Sequence, residues 1–202
     1  MLIDFFYKGG PLMYPLLLGS VLMIAVVIER GYRFIRAGTK RRFMETVKEH
    51  VGGGRFSEAE ELATSTPGPV AAVVREALTM RRYTEDVVEN AISLQGDREL
   101  SRLNRNLHLL DLIGKIAPMI GLLGTVLGMA GAFHQVASTT SVNPTMLASG
   151  IWEALITTVA GLFVGIPALV FHHLYLNKVR AIAFSMKHFG EEIVSMTRGR
   201  DD

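Results

Sequence analysis

The sequence predicts an all-α integral membrane protein. It has three transmembrane helices with long helical cytoplasmic extensions, a periplasmic N-terminus and a cytoplasmic C-terminus. Three observations carry this. From Ile116 to Asn177 the chain runs for 62 residues with one charged side chain, Glu153, and no Lys, Arg or Asp. One helical crossing needs about 20 apolar residues, so this stretch has room for two. A shorter apolar run, Pro11 to Ile28, ends against Glu29, Arg30, Arg33, Arg36, Lys40, Arg41 and Arg42. That is a stop-transfer pattern, and the opening MLIDFFYKGG lacks the basic start of a cleaved leader. Threading three spans also leaves 20 of the 21 Lys and Arg residues on one side, and basic loops stay cytoplasmic.

The composition agrees with this segregation. Apolar residues make up 49% and charged residues 20% of 202 residues, and mean hydropathy is +0.30. Apolar blocks therefore alternate with charged blocks, and the net charge of +2 hides the asymmetry. With no cysteine, disulfides and thiolate metal sites are excluded.

The expected organisation follows in order. Residues 1–29 hold an N-terminal periplasmic segment and the first transmembrane helix. Residues 30–113 form a cytoplasmic helical domain. The second transmembrane helix is 114–136, a short periplasmic hairpin is 137–145, the third helix is 146–172, and 173–202 is a cytoplasmic C-terminal helix. Within 30–113, Gly52-Gly53-Gly54 and Thr66-Pro67-Gly68-Pro69 break the chain. Phe56 to Ala63 reads as a short helix capped by Ser57, and Val70 to Met80 as another. Thr84, with Glu85 and Asp86 behind it, starts a third. No proline or evident stop follows before Pro118, which predicts one helix running from Thr84 into the second span. Leu100, Leu103, Leu107 and Leu110 lie along one seam of it. The charged residues of this region read as a solvated face, with Arg33, Arg36 and Lys115 placed to meet anionic lipid headgroups.

Both later spans carry stripes of small residues. In the second, Ala117, Gly121, Gly124, Gly128 and Gly131 recur at alternating steps of four and three. In the third, Gly150, Ala154, Thr157, Gly161, Gly165 and Ala168 recur at steps of 4, 3, 4, 4 and 3. Glycine weakens a helix, but in a membrane it lets another backbone approach closely. Both stripes are therefore expected to be helix-packing faces. Pro118 and Pro167 are expected to bend their helices. The polar hairpin from Ser138 ends in Asn143-Pro144, an N-cap followed by a proline at the first helical position.

Glu153 lies at one margin of the third-span stripe and Thr158 at the other; Thr125 sits beside Gly121 and Gly128. An intramembrane carboxylate is a functional hypothesis by default. It reads as part of an ion path, as a neutral group hydrogen-bonding across helices, or as a lipid-facing residue. The threonines Thr125, Thr157 and Thr158 have the first two readings, since a membrane threonine often bonds its own helix. His134, His172 and His173 read as span-end residues, and Trp152 and Tyr175 as members of an interfacial aromatic belt. No phosphate loop, zincin motif or nucleophile elbow occurs. The expectation is a protein that is not an enzyme, with no cofactor, no metal site and no nucleic-acid partner.

The segments IAPMIGLLGTVLGMAGAF and GIWEALITTVAGLFVGIPA resemble those of the MotA/TolQ/ExbB proton-channel family. The opening GGPLMYPLLLGSVLMIAVVIER resembles ExbB-type members, and three spans resemble ExbB and TolQ more than MotA. The resemblance implies a homopentamer in a bacterial inner membrane, surrounding helices of an ExbD/TolR-like single-span partner that carries a transmembrane Asp. It also implies a TonB/TolA-like protein as the recipient of mechanical work. By motif match, Glu153, Thr125 and Thr158 fall on the family's pore-lining positions. Thr157 adds a further hydroxyl that leaves H+ and Na+ both open. Two alternatives remain at this point, a structural membrane scaffold without ion conduction and a motility-type stator relative.

Overall fold

The structure is a computed structural model that describes residues 6, 9–38, 41–138 and 144–198. Its principal helices are α1 (Met13–Ala37), α2 (Arg41–Gly52), α3 (Phe56–Ser65), α4 (Pro69–Thr79), α5 (Glu85–Asn104), α6 (Leu107–Ser138) and α7 (Pro144–Arg198). No strand occurs among the described residues. Among the described residues, three stretches of helix are long and apolar enough to cross a membrane, within Met13–Ile35, Glu85–Ser138 and Ala148–Arg198. The chain divides into two compact units. One is Met1–Glu29 with Asn106–Leu174; the other is Arg30–Arg105 with Tyr175–Asp202.

The first unit has an inverted interior. Its buried positions include Ala117, Gly121, Gly124, Ala132, Ala154 and Ala168. Its large apolar side chains face outward: Leu18, Met119, Leu122, Phe133, Val159 and Phe163 are all more than half exposed. Water would expel such a surface. Lipid tails do not, and helices in lipid gain by bringing small residues together. A small satellite core of Leu16, Ala117 and Val164 joins α1, α6 and α7.

The second unit is built the opposite way. Val47, Val51, Ala59, Val70, Val73, Val74, Leu78, Val88 and Ile193 are buried together, as in a water-soluble helical domain. The C-terminal part of α7 belongs to this core through Met186, Ile193 and Val194. Residues 175–198 are thus a structural member of the domain that begins at Arg30, not a tail beyond it. Lys48 pairs with Glu192 at 2.6 Å and Arg198 with Glu85 at 3.3 Å. These pairs are partly exposed and contribute little next to the apolar core.

Arg30 is the exception in that core. It is 1% exposed, and its Nη1 donates to the carbonyls of Arg102 and Leu103 at 3.2 and 3.1 Å. Those carbonyls lie in the last turn of α5, where no further helical N–H reaches them. A cation there also meets the negative end of the helix dipole. The residue read from sequence as one of several stop-transfer charges is therefore the cap of another helix.

Several local expectations differ from the structure. The helix from Thr84 does not continue into the second span. It ends at Asn104, and Asn106 has φ 65°. Asparagine tolerates this left-handed conformation better than most residues, so it breaks the helix without a glycine or proline. In the first unit, the Asn106 side-chain amide donates to Glu29 at 3.2 Å. The leucine seam is divided accordingly between α5 and α6. Ser57 is not a cap: α3 starts at Phe56 behind Arg55, with no side-chain cap bond. Tyr175 is 7% exposed and stacks on Phe34 at 5.2 Å. It is a core residue of the second unit, whereas Trp152 is exposed. The first helix extends eight residues past the expected boundary of 29, to Ala37. Pro118 and Pro167 both lie inside continuous helices. The Asn143 cap lies outside the described residues.

Leu78 is fully buried in the second unit. Leu78→Ala should cost about 2–5 kcal/mol, seen as a lower melting temperature of the full-length protein in detergent. Hydrogen exchange should rise in peptides from 43–104 and stay unchanged in peptides from 116–136. An equal rise in both would show that the two interiors melt as one.

Candidate functional site

The site lies in the first unit, where α6 and α7 present their small residues to each other. A Cβ built on Gly161 would lie 2.6 Å from the Ala117 carbonyl oxygen and 3.0 Å from the Cα of Gly121. One built on Gly121 would lie 3.0 Å from the Thr157 carbonyl oxygen and 3.0 Å from the Thr158 Cα. On Gly150 it would meet the Ala132 Cβ at 2.5 Å, and on Gly128 the Ala154 Cβ at 3.1 Å. The two backbones are therefore in contact over several turns. Gly131 differs: a Cβ there meets nothing within 4 Å. The stripes expected to be packing faces thus meet within one chain, and large apolar residues face outward.

Pro118 shapes the lower end of this seam. Proline has no N–H, so the Gly114 carbonyl loses its helical donor. Gly165 stands against both: a Cβ on it would lie 3.0 Å from the Gly114 oxygen and 2.6 Å from the proline ring. The glycine keeps the space that the freed carbonyl and the ring require.

The hydroxyls divide into two kinds. Thr157 is 1% exposed. Its Oγ1 lies 3.0 Å from the Gly9 carbonyl and 2.9 Å from the Glu153 carbonyl, and its methyl sits where a Gly124 side chain would be. Thr157 is therefore buried among the packing residues. Thr158 is half-buried and donates to the Gly121 carbonyl of α6 at 2.9 Å. Thr125 is also partly exposed and donates to its own Leu122 carbonyl at 2.6 Å. A hydroxyl has one donor and two acceptor lone pairs. Once the donor is committed internally, Thr125 and Thr158 present only acceptors outward.

Glu153 is exposed on α7. One of its carboxylate oxygens stands where a Cβ on Gly10 would lie, and Gly10 has φ +67°. Gly9 lies beside Ile156 and donates no side chain to the contact. The turn at Gly9 and Gly10 thus sits over Glu153, Ile156 and Thr157. Sequence reasoning missed this turn as part of the site. The Gly-Gly pair ahead of the first span is a turn signal, but nothing local says which helix the turn covers. Sequence spacing sets these polar residues beside the stripes and does not name their individual partners. At the far end of the seam, His172 Nδ1 lies 3.0 Å from the Leu107 carbonyl.

The profile of the MotA/TolQ/ExbB proton channel family matches residues 65–188. An ExbB-like biopolymer transport protein of Synechocystis sp. is 34% identical over 179 residues, covering 84% of this chain and 68% of that protein. Biopolymer transport protein exbB1 of Vibrio cholerae is 31% identical over 166 residues, covering 79% and 72%. Tol-Pal system protein TolQ of Haemophilus influenzae is 30% identical over 158 residues, covering 78% and 64%.

The seam makes a sharp prediction. Gly161→Ala places a methyl against backbone that cannot rotate away, and should cost about 1–3 kcal/mol of overpacking. Gly131→Ala enters open space and should be neutral or up to about 1 kcal/mol stabilising through helix propensity. Thermal melting of the two variants in detergent measures the difference; equal melting would mean that α6 and α7 do not lie this close.

Proposed function

Because this chain belongs to the MotA/TolQ/ExbB proton channel family, we propose that it is the pore-forming, stator-like subunit of an inner-membrane proton-motive-force transducer of the ExbB/TolQ type. In this reading the N-terminus is periplasmic and the second unit is cytoplasmic, as the distribution of Lys and Arg supports. Five copies surround helices of an ExbD/TolR-like partner whose transmembrane Asp carries the proton. Movement of the partner does work on a TonB/TolA-like protein. One elementary charge crossing about 100 mV releases about 2.3 kcal/mol, which is enough to move a smooth helix past a weakly gripping wall.

The observation that carries the reading is that Glu153, Thr125 and Thr158 border the α6–α7 seam within a stretch, 116–177, that holds no other Asp, Glu, Lys or Arg. Thr125 and Thr158 have spent their donors on carbonyls of their own chain. Their free lone pairs accept a hydrogen bond from a protonated carboxyl and offer nothing to a carboxylate. Such a wall favours the neutral, proton-loaded form of an inserted Asp. Glu153 is the ionisable member of the wall, placed to exchange a proton with that carrier.

The scaffold reading draws on the same bonds, since Thr158 also joins α6 to α7. Variants separate the two. Glu153→Gln and Thr158→Val should each lower partner-dependent proton uptake into proteoliposomes at least 10-fold while the complex still co-purifies with the product of the adjacent gene. Parental uptake in both variants would leave the scaffold as the surviving function.

A further inference from the structure

We infer that Thr157 is a positioning residue for Glu153, acting through the N-terminal turn. Four observations meet at this point. Thr157 is almost completely buried, yet its hydroxyl reaches the Gly9 carbonyl, 148 residues away in sequence, at 3.0 Å. The same hydroxyl lies 2.9 Å from the Glu153 carbonyl, one turn back on α7. Gly10 follows in a left-handed conformation, φ +67°, that side-chain-bearing residues rarely adopt. A carboxylate oxygen of Glu153 occupies the place where a Gly10 side chain would begin.

The chain of contacts has a direction. The Thr157 hydroxyl anchors the turn, the left-handed Gly10 turns the backbone flat onto α7, and that backbone limits where the carboxylate can go. On an apolar helix an unconstrained glutamate samples many rotamers. Here one side of the carboxylate is closed by Gly10 and the residue remains open on the other. The single hydroxyl hydrogen serves either of the two carbonyls, so the tie to Gly9 releases without leaving the hydroxyl unpaired. This gives Thr157 a task distinct from that of Thr158 beside it, whose hydroxyl joins α6. It also gives the turn at residues 9 and 10 a role in the site that its place outside the spans conceals.

The functional weight of this inference rests on the reading of Glu153 as an ion-path group, but its test does not. The probe is dicyclohexylcarbodiimide, an apolar reagent that adds to protonated carboxyls within membranes. Glu153 is the only carboxylate between Ile116 and Asn177, so mass analysis of peptides from that stretch reports its modification rate alone. The full-length protein is labelled in native membrane vesicles. Thr157→Val keeps the branched shape and loses the hydroxyl; it should change the Glu153 labelling rate at least 3-fold. Thr157→Ser keeps the hydroxyl and loses a methyl; it should restore the parental rate. Gly10→Ala displaces the turn from the carboxylate directly and should shift the rate as Thr157→Val does. Parental labelling in Thr157→Val overturns the inference. If that variant fails to insert, parental labelling in Gly10→Ala overturns it instead. Normal proton uptake by Glu153→Gln would sink the ion-path reading and leave the labelling result standing.

Discussion

The close approach of α6 and α7 is the constraint on which the first unit depends. Gly161 lies against the Ala117 carbonyl and Gly121 against the Thr157 carbonyl, with no room for a single methyl group. In lipid there is no hydrophobic gain from bringing two apolar helices together. What remains is dispersion across a tight contact and the few hydrogen bonds it permits. Only at this separation does the Thr158 hydroxyl reach the Gly121 carbonyl. Only at this separation does the methyl of Thr157 occupy the hollow left by Gly124. The glycines weaken each helix taken alone, and the pair recovers the loss in contact.

Two solvents are written into one chain. In the first unit glycines and alanines line the buried helix seam while many large apolar side chains are exposed; in the second, large apolar side chains are buried together. Both patterns are helical and both are apolar, so hydropathy alone does not separate them. The difference lies in what the outside offers. Water rewards burial of every large apolar side chain, whereas lipid accepts those side chains and rewards backbone contact. Helix α7 follows both rules in turn. Its residues up to Leu174 belong to the first unit, and Met186, Ile193 and Val194 fill the core of the second.

The hydroxyls of Thr125, Thr157 and Thr158 are hydrogen-bonded within their own chain. Thr157 serves the Gly9 and Glu153 carbonyls, Thr158 serves Gly121, and Thr125 serves Leu122. An unmade hydrogen bond costs far more in a low-dielectric interior than a made one gains, so this satisfaction is a condition of stability. It also sets what the hydroxyls can still do, because spent donors leave acceptors. A bond that holds the fold together and an outward-facing acceptor therefore coexist on one side chain. The same economy appears in the second unit, where Arg30 is buried to serve the last carbonyls of α5.

Much of this was legible along the chain. A 62-residue stretch with one charge, a basic flank after the first apolar run and alternating steps of four and three between small residues depend only on composition and helical period. They determined the helical class, the existence of the spans and the faces that pack. Glu153, Thr125 and Thr158 were marked by the same arithmetic, since each borders a stripe. The sequence could not say that the two stripes would face each other, because periodicity identifies a face and not its partner. It could not show the break at Asn106, since one left-handed asparagine has no pattern to announce it. Nor could it separate Thr157 from Thr158, which are adjacent and chemically identical. Their roles diverged only when folding brought Gly9 to one hydroxyl and Gly121 to the other. Local rules act over a turn or two of helix, and the contacts that assign a task to each polar group join residues as much as 148 positions apart.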